Sequence, residues 1–123
     1  MLKFDLPYPP SINRYWRKYR NRMVINSTGR NYRKEVVQRL GHLRGTPLEG
    51  KLSMRLILQP PDKRRRDVDN VQKPLLDALE HAGLYKDDCQ VKELLTQMEE
   101  SHGKPGTVTV IVRKLDRWIC PES

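Results

Sequence analysis

The chain has 123 residues, enough for one domain around one core, and its 24 Lys+Arg against 15 Asp+Glu give a formal net charge of +9. That balance points to a polyanionic partner, nucleic acid ahead of a membrane surface: no apolar run reaches the roughly 18 residues of a spanning helix, and the basic residues do not line one amphipathic face. Cys89 and Cys120 form no CxxC pair and no histidine pair completes a zinc pattern, so they are expected as reduced thiols; with no apolar signal segment at the N-terminus, the expected location is the cytoplasm.

Taken in chain order, Leu2 to Leu6 alternates apolar and polar residues and predicts a strand, stopped by Pro7, Pro9 and Pro10. Ser11 to Arg22 reads as an irregular basic loop with Tyr15, Trp16 and Tyr19 interleaved, followed by a short strand over Met23 to Ile25. Ser27 or Thr28 can cap a helix reaching about His42, with Tyr32, Val36, Val37, Leu40 and Leu43 at helical spacing. Gly45 and Pro47 end that segment. Lys51 to Gln59 is a second strand, with Leu52, Met54, Leu56 and Leu58 on one face and Pro60-Pro61-Asp62 closing it.

A second helix is expected from about Asn70 to Ala82, with Val71, Leu75, Ala78, Leu79 and Ala82 inward and Gly83 as its stop. Proline is tolerated only in a first turn, so Pro74 puts the start near Asp69 and Asn70, both good N-caps. Gln90 to Met98 and Thr107 to Lys114 read as strands, with Ser101-His102-Gly103-Lys104-Pro105-Gly106 as a hairpin loop between them. The order implies a small single-domain α/β fold over 1–123, one mixed sheet with two helices packed on it. His42, His81 and His102 belong to no motif, and the tail from Asp116 to Ser123 is uninformative.

The chemistry concentrates in Arg64-Arg65-Arg66-Asp67-Val68-Asp69-Asn70-Val71-Gln72-Lys73. Hydrolysing a phosphodiester requires an activated water and compensation for charge on the phosphate and the leaving 3′ oxygen. A hard divalent cation held by carboxylate oxygens supplies both. In an extended segment residues i and i+2 point the same way, which aims Asp67 and Asp69 at one point. Taken alone, D-x-D is common, and Asp69 as a helix cap beside a solvated Asp67 is the competing reading. The arginines beside it shift the weight, because guanidinium forks fit phosphate. Lys73, one turn into the helix, faces either Asp77 at i+4 or the scissile phosphate. A third carboxylate is expected from Asp87-Asp88, which precede a strand; periodicity does not choose between them. Glu93, Glu99 and Glu100 read as solvent-facing.

From Arg14 to Lys34 there are eight basic residues and no acidic one. This tract, with Arg14, Arg17, Lys18 and Arg20, reads as a surface that neutralises backbone phosphates. Its aromatics either stack on exposed bases or belong to the core or a dimer contact, the second reading being favoured for Trp16.

Three segments resemble the RusA-type Holliday junction resolvases, small endodeoxyribonucleases of bacteria and their phages. They are Pro7-x-Pro9-Pro10-Ser11-x-Asn13-x-Tyr15; Arg66-Asp67-x-Asp69-Asn70-x-x-Lys73 continuing through Asp77-Ala78-Leu79 and Gly83; and Asp87-Asp88-x-Gln90-Val91. The resemblance implies that Asp67, Asp69 and Asp88 bind the metal, Mg²⁺ with Mn²⁺ able to substitute. It implies that Lys73 assists catalysis and that Arg66 contacts DNA; Arg64, Arg65 and Asn70 are expected to bind DNA beside it. It also implies a two-fold homodimer that binds branched DNA, a four-way junction, and nicks two opposed strands. Pro74 departs from the commoner family pattern. Two other readings remain at this stage: a flap- or fork-selective nuclease of the same chemistry, and a non-catalytic basic DNA-binding module.

Overall fold

Alternation in the first segment forms β1, Leu2–Pro7, in the computed structural model, which describes residues 1–43 and 45–115. Cys120 and the tail from 116 onward lie outside the described residues. After the prolines the chain makes one helical turn, α1 (Ile12–Tyr15), and then a two-stranded ribbon, β2 (Trp16–Tyr19) with β3 (Arg22–Ile25). The expected irregular loop is therefore an ordered hairpin. Its turn is Arg20-Asn21, with φ of 47° and 62°, the left-handed pair that a two-residue hairpin needs to match strand twist. Asparagine tolerates that region, but there is no glycine to announce the turn.

Helix α2 spans Ser27–Leu40 and continues as a 3-10 turn over Gly41–Leu43. Its cap is Asn26 rather than Ser27 or Thr28: the Asn26 side chain accepts from the Ser27 amide at 2.9 Å. Asn26 also donates its own amide to the Tyr15 carbonyl at 2.8 Å. A Cβ on Gly29 would stand 2.5 Å from that same carbonyl, so α2 lies directly on the root of the ribbon.

The main sheet has β4 (Leu52–Gln59), β5 (Val91–Met98) and β6 (Thr107–Lys114) beside β1, in the order β1-β6-β4-β5. β6 runs antiparallel to both β1 and β4, while β4 and β5 are parallel, joined through α3 (Gln72–His81). The expected β5–β6 hairpin does not form. β4 takes the place between them because Leu52, Met54, Leu56 and Leu58 give it a continuous buried face, with Val108, Val110 and Val112 of β6 beside it. β5 is exposed along most of its length and lies at the sheet edge.

Tyr32, Val36 and Leu40 of α2 and Leu75, Ala78 and Leu79 of α3 cover that buried face, and all belong to one core. Removing a core leucine such as Leu56 would cost about 2–5 kcal/mol. Val71 and Ala82 are buried as expected, and Gly83, at φ 88°, ends α3. Pro74 is the third residue of α3, where its missing amide proton is not needed. The α-helix starts at Gln72, later than expected, because a 3-10 turn over Val68–Val71 precedes it. Neither Asp69 nor Asn70 caps it.

Among the described residues no helix is long and apolar enough to cross a membrane.

Candidate active site

Where β4 ends, Asp62 organises the arginine run. Its carboxylate accepts from Arg66 Nη1 at 2.7 Å and from the Arg64 amide at 3.0 Å. Arg66 Nη1 also reaches the carbonyls of Asp62 and Arg64, at 3.2 and 3.3 Å, and its guanidinium lies 5.8 Å from the centre of the Tyr8 ring. The guanidinium of Arg66 holds the Asp62 carboxyl well below the usual carboxylate range. Of the three arginines, Arg66 is thus half-buried and engaged by the loop itself, while Arg64 and Arg65 are exposed.

Asp67 is extended, with φ −96° and ψ 139°, but the backbone turns at Val68. The i, i+2 alternation that aims two side chains of a strand to one side therefore does not span this pair; a 3-10 turn carries Asp69 instead. Both residues are exposed, and among the described residues neither carboxylate has a hydrogen bond or an ion pair. Buried Val71 anchors the turn against the core.

Lys73 projects from the first turn of α3 and places Nζ 3.1 Å from Asp88 Oδ2. Its other candidate partner, Asp77, is occupied: Arg33 reaches Asp77 Oδ2 through Nη2 at 2.7 Å and Nε at 3.0 Å, and the buried Tyr15 hydroxyl donates to the same oxygen. Burial, and then that carboxylate, push the Tyr15 hydroxyl pKa well above its ordinary value.

Asp87 and Asp88 are separated by a cap rather than by strand alternation. Asp87 caps a 3-10 turn over Asp88–Gln90, accepting from the Cys89 amide at 2.9 Å, and that hydrogen bond lowers its pKa. Gln90 closes the box by accepting from the Asp87 amide at 3.1 Å, and it donates to the Leu48 and Gly50 carbonyls. Asp88 is left facing Lys73, and its amide donates to Glu80 Oε1 at 2.8 Å. Glu80, Asp87 and Asp88 bring carboxylate oxygens within 4.8 Å of one another. Glu80 is the member that pattern reading missed; its position two turns after Lys73 on α3 was the available signal. The turn carrying Asp69 touches β5, and the turn carrying Asp88 leads into β5 and packs on α3, so both acidic segments border the same strand and helix.

Beside Asp67 opens a cleft of about 820 Å³, whose walls include Arg14, Arg64, Arg65, Asn70 and Lys104. This gathers α1, the arginine loop and the segment before β6 around three acidic residues, Glu35, Asp62 and Asp67, while Asp69, Lys73 and Asp88 are not on its walls. Lys104 was not singled out from sequence. Arg17, Lys18 and Arg20 are exposed on the hairpin and do not line the cleft. Glu93, Glu99 and Glu100 are exposed, as expected, and Cys89 is a free exposed thiol.

The donor set fits a hard divalent cation. The carboxylates that lie together, Glu80, Asp87 and Asp88, offer hard oxygen donors without thiolate or imidazole; Asp67 and Asp69 are not part of that group, and among the described residues their carboxylates have no hydrogen bond or ion pair.

A family model described as Endodeoxyribonuclease RusA matches residues 7–113. The chain is 43% identical over 93 residues to the crossover junction endodeoxyribonuclease rusA of Enterobacteria phage HK97, covering 75% of this chain and 78% of that protein. It is 44% identical over 87 residues to the enzyme of the same name from Enterobacteria phage 82, covering 70% and 72%. To the Escherichia coli K12 protein so named it is 41% identical over 87 residues, with the same shares. The matched span takes in both acidic turns, Lys73 and the arginine loop, and on that ground the chain belongs to the RusA endodeoxyribonuclease family.

Proposed function

We propose that this protein is a divalent-metal-dependent endodeoxyribonuclease that resolves four-way DNA junctions by paired symmetric nicks, working as a two-fold homodimer in the cytoplasm. The observation that supports it most is one juxtaposition. Asp67, a carboxylate without a partner among the described residues, stands on the wall of a cleft where Arg14, Arg64, Arg65 and Lys104 outnumber the other acidic groups, Glu35 and Asp62. A phosphate strand drawn in by the arginines is brought beside an anion that only a cation reconciles with it.

Asp67, Asp69 and Asp88 would hold the ion, Mg²⁺ with Mn²⁺ as a substitute. Such an ion supplies Lewis acidity for water attack on phosphorus and for departure of the 3′ oxygen. Lys73, paired with Asp88 at 3.1 Å, supplies an ammonium that donates to the scissile phosphate or to the leaving oxygen. Arg64 and Arg65 orient the backbone, and Asn70 lies on the same wall to contact it. A two-fold dimer presents two equivalent sites to a substrate that needs two equivalent cuts.

The test is cleavage of a synthetic four-way junction with and without Mg²⁺, beside flap, fork and duplex controls. Symmetric nicks on the junction that require the ion and are lost in Asp67→Asn or Asp69→Asn, with junction binding retained, are the expected result. Preferential flap or fork cleavage would move the substrate class. Binding without cleavage in either Mg²⁺ or Mn²⁺ would reduce the protein to a DNA-binding module.

A further inference from the structure

We propose that the β2–β3 hairpin is a stacking finger for an unpaired base at the branch point of the DNA, with Tyr19 as the residue that meets it. The proposal rests on the branched-DNA reading above and adds to it the element that tells a branch from a continuous duplex.

Three aromatics lie in the basic tract, and the structure separates them. Tyr15 is fully buried and hydrogen-bonded to Asp77. Trp16 is half-buried and packs edge-on against Tyr15 with ring centres 4.4 Å apart. Tyr19 alone is presented to solvent, 48% exposed, as the last residue of β2 before the two-residue turn. The guanidinium carbons of Arg17 and Arg20 lie 5.6 and 5.4 Å from its ring centre, and Arg22 is its cross-strand partner. On the adjacent pair, Lys18 faces Met23, which is 66% exposed. The tip is therefore a planar ring accompanied by guanidinium groups, with an apolar side chain beside it and no acidic group in the tract.

The root is fixed while the tip projects. Trp16 pairs with Ile25, both half-buried, Asn26 ties its amide to the Tyr15 carbonyl, and α2 approaches so closely that Gly29 has no room for a Cβ. Arg14, just before the ribbon, lines the cleft that Asp67 borders, so the finger grows from the rim of the candidate active site.

A continuous duplex hides its base faces in the stack; a branch point interrupts the stack and exposes them. Aromatic rings and guanidinium planes both extend an interrupted stack without reading sequence, and arginine charges meet the phosphates on either side. Other charges in the tract bind any DNA and do not discriminate.

The experiment measures dissociation constants of wild type, Tyr19→Ala and Tyr19→Trp for a four-way junction and for a duplex of equal length in Ca²⁺. In parallel it follows the fluorescence of 2-aminopurine placed at the branch point, and circular dichroism checks that each variant is folded. The expected result for Tyr19→Ala is a junction-over-duplex preference lower by roughly tenfold, the scale of one lost base–aromatic stack. The 2-aminopurine response should be lost with it, and Tyr19→Trp should restore both. A preference unchanged in Tyr19→Ala, or an equal loss on junction and duplex, overturns the finger while leaving the nuclease reading intact. A wild-type protein with no junction preference overturns the junction reading and the finger with it.

Discussion

Arg33 and Asp77, 44 residues apart, meet through two hydrogen bonds to one carboxylate oxygen, Nη2 at 2.7 Å and Nε at 3.0 Å. The pair joins α2 to α3, and Tyr15 adds α1 through the same oxygen. Asp77 would otherwise be an i, i+4 partner for Lys73. With Asp77 engaged from the other side, Lys73 is free to reach Asp88. Arg33→Met keeps the aliphatic stem and removes the pair. It should lower unfolding free energy by about 1–2 kcal/mol, a hydrogen-bonded charge pair discounted for partial exposure. Urea denaturation measures it, and a change under about 0.5 kcal/mol would mean that solvent screens the pair.

Lys73→Ala should lower the single-turnover cleavage rate far more than it weakens junction binding. The charge that Lys73 is proposed to stabilise develops in the transition state, whereas ground-state affinity is spread over many basic residues. A cleavage time course beside a binding isotherm decides it. Equal losses in both would make Lys73 an ordinary phosphate contact.

Asp88→Asn should be inactive in Mg²⁺ with junction binding retained, while Asp87→Asn should keep most of its activity. The structural reason is the division of labour at the 3-10 turn: the Asp87 carboxylate serves the Cys89 amide, and asparagine caps as well as aspartate. Asp88 faces Lys73 instead. Side-by-side junction cleavage by the two variants is the measurement. An inactive Asp87→Asn with an active Asp88→Asn would reverse the ligand assignment.

Much of the frame was legible because it rests on short-range patterns. The alternation Leu52, Met54, Leu56, Leu58 marks β4, and the spacing Val71, Leu75, Ala78, Leu79, Ala82 marks the face of α3 with its lead-in and exit. The errors fall where tertiary partners decide. Nothing in Val91–Met98 or Thr107–Lys114 says that a third strand lies between them; that follows from β4 having the buried face. The Arg20-Asn21 turn lacks a glycine, so the ribbon read as a loop.

At the site, the contact of Lys73 with Asp88 joins two residues named from sequence, but the carboxylate group around Asp88 takes in Glu80 and not Asp67 or Asp69. Asp67 and Asp69 straddle a bend instead of sharing a strand face. Arg66, expected as a DNA contact, lines the cleft with its guanidinium hydrogen-bonded to Asp62. Glu80 could have been found from its spacing on α3, whereas Lys104 comes in from the segment before β6, a distance along the chain that no local pattern bridges.

The strand order has a consequence for how the chain is made. β6 is the last strand in sequence, yet it sits between β1 and β4, which leave the ribosome long before it. Until residues 107–114 emerge, the nascent chain can assemble only the β4–α3–β5 part of the main sheet, with one long side of β4 unpaired. Long-range closures of this kind are slow and leave edges open to other chains. The segment bearing Asp67, Lys73 and Asp88 is thus synthesised early and made stable late, so a nascent chain arrested before β6 would display the proposed catalytic residues on an unfinished sheet.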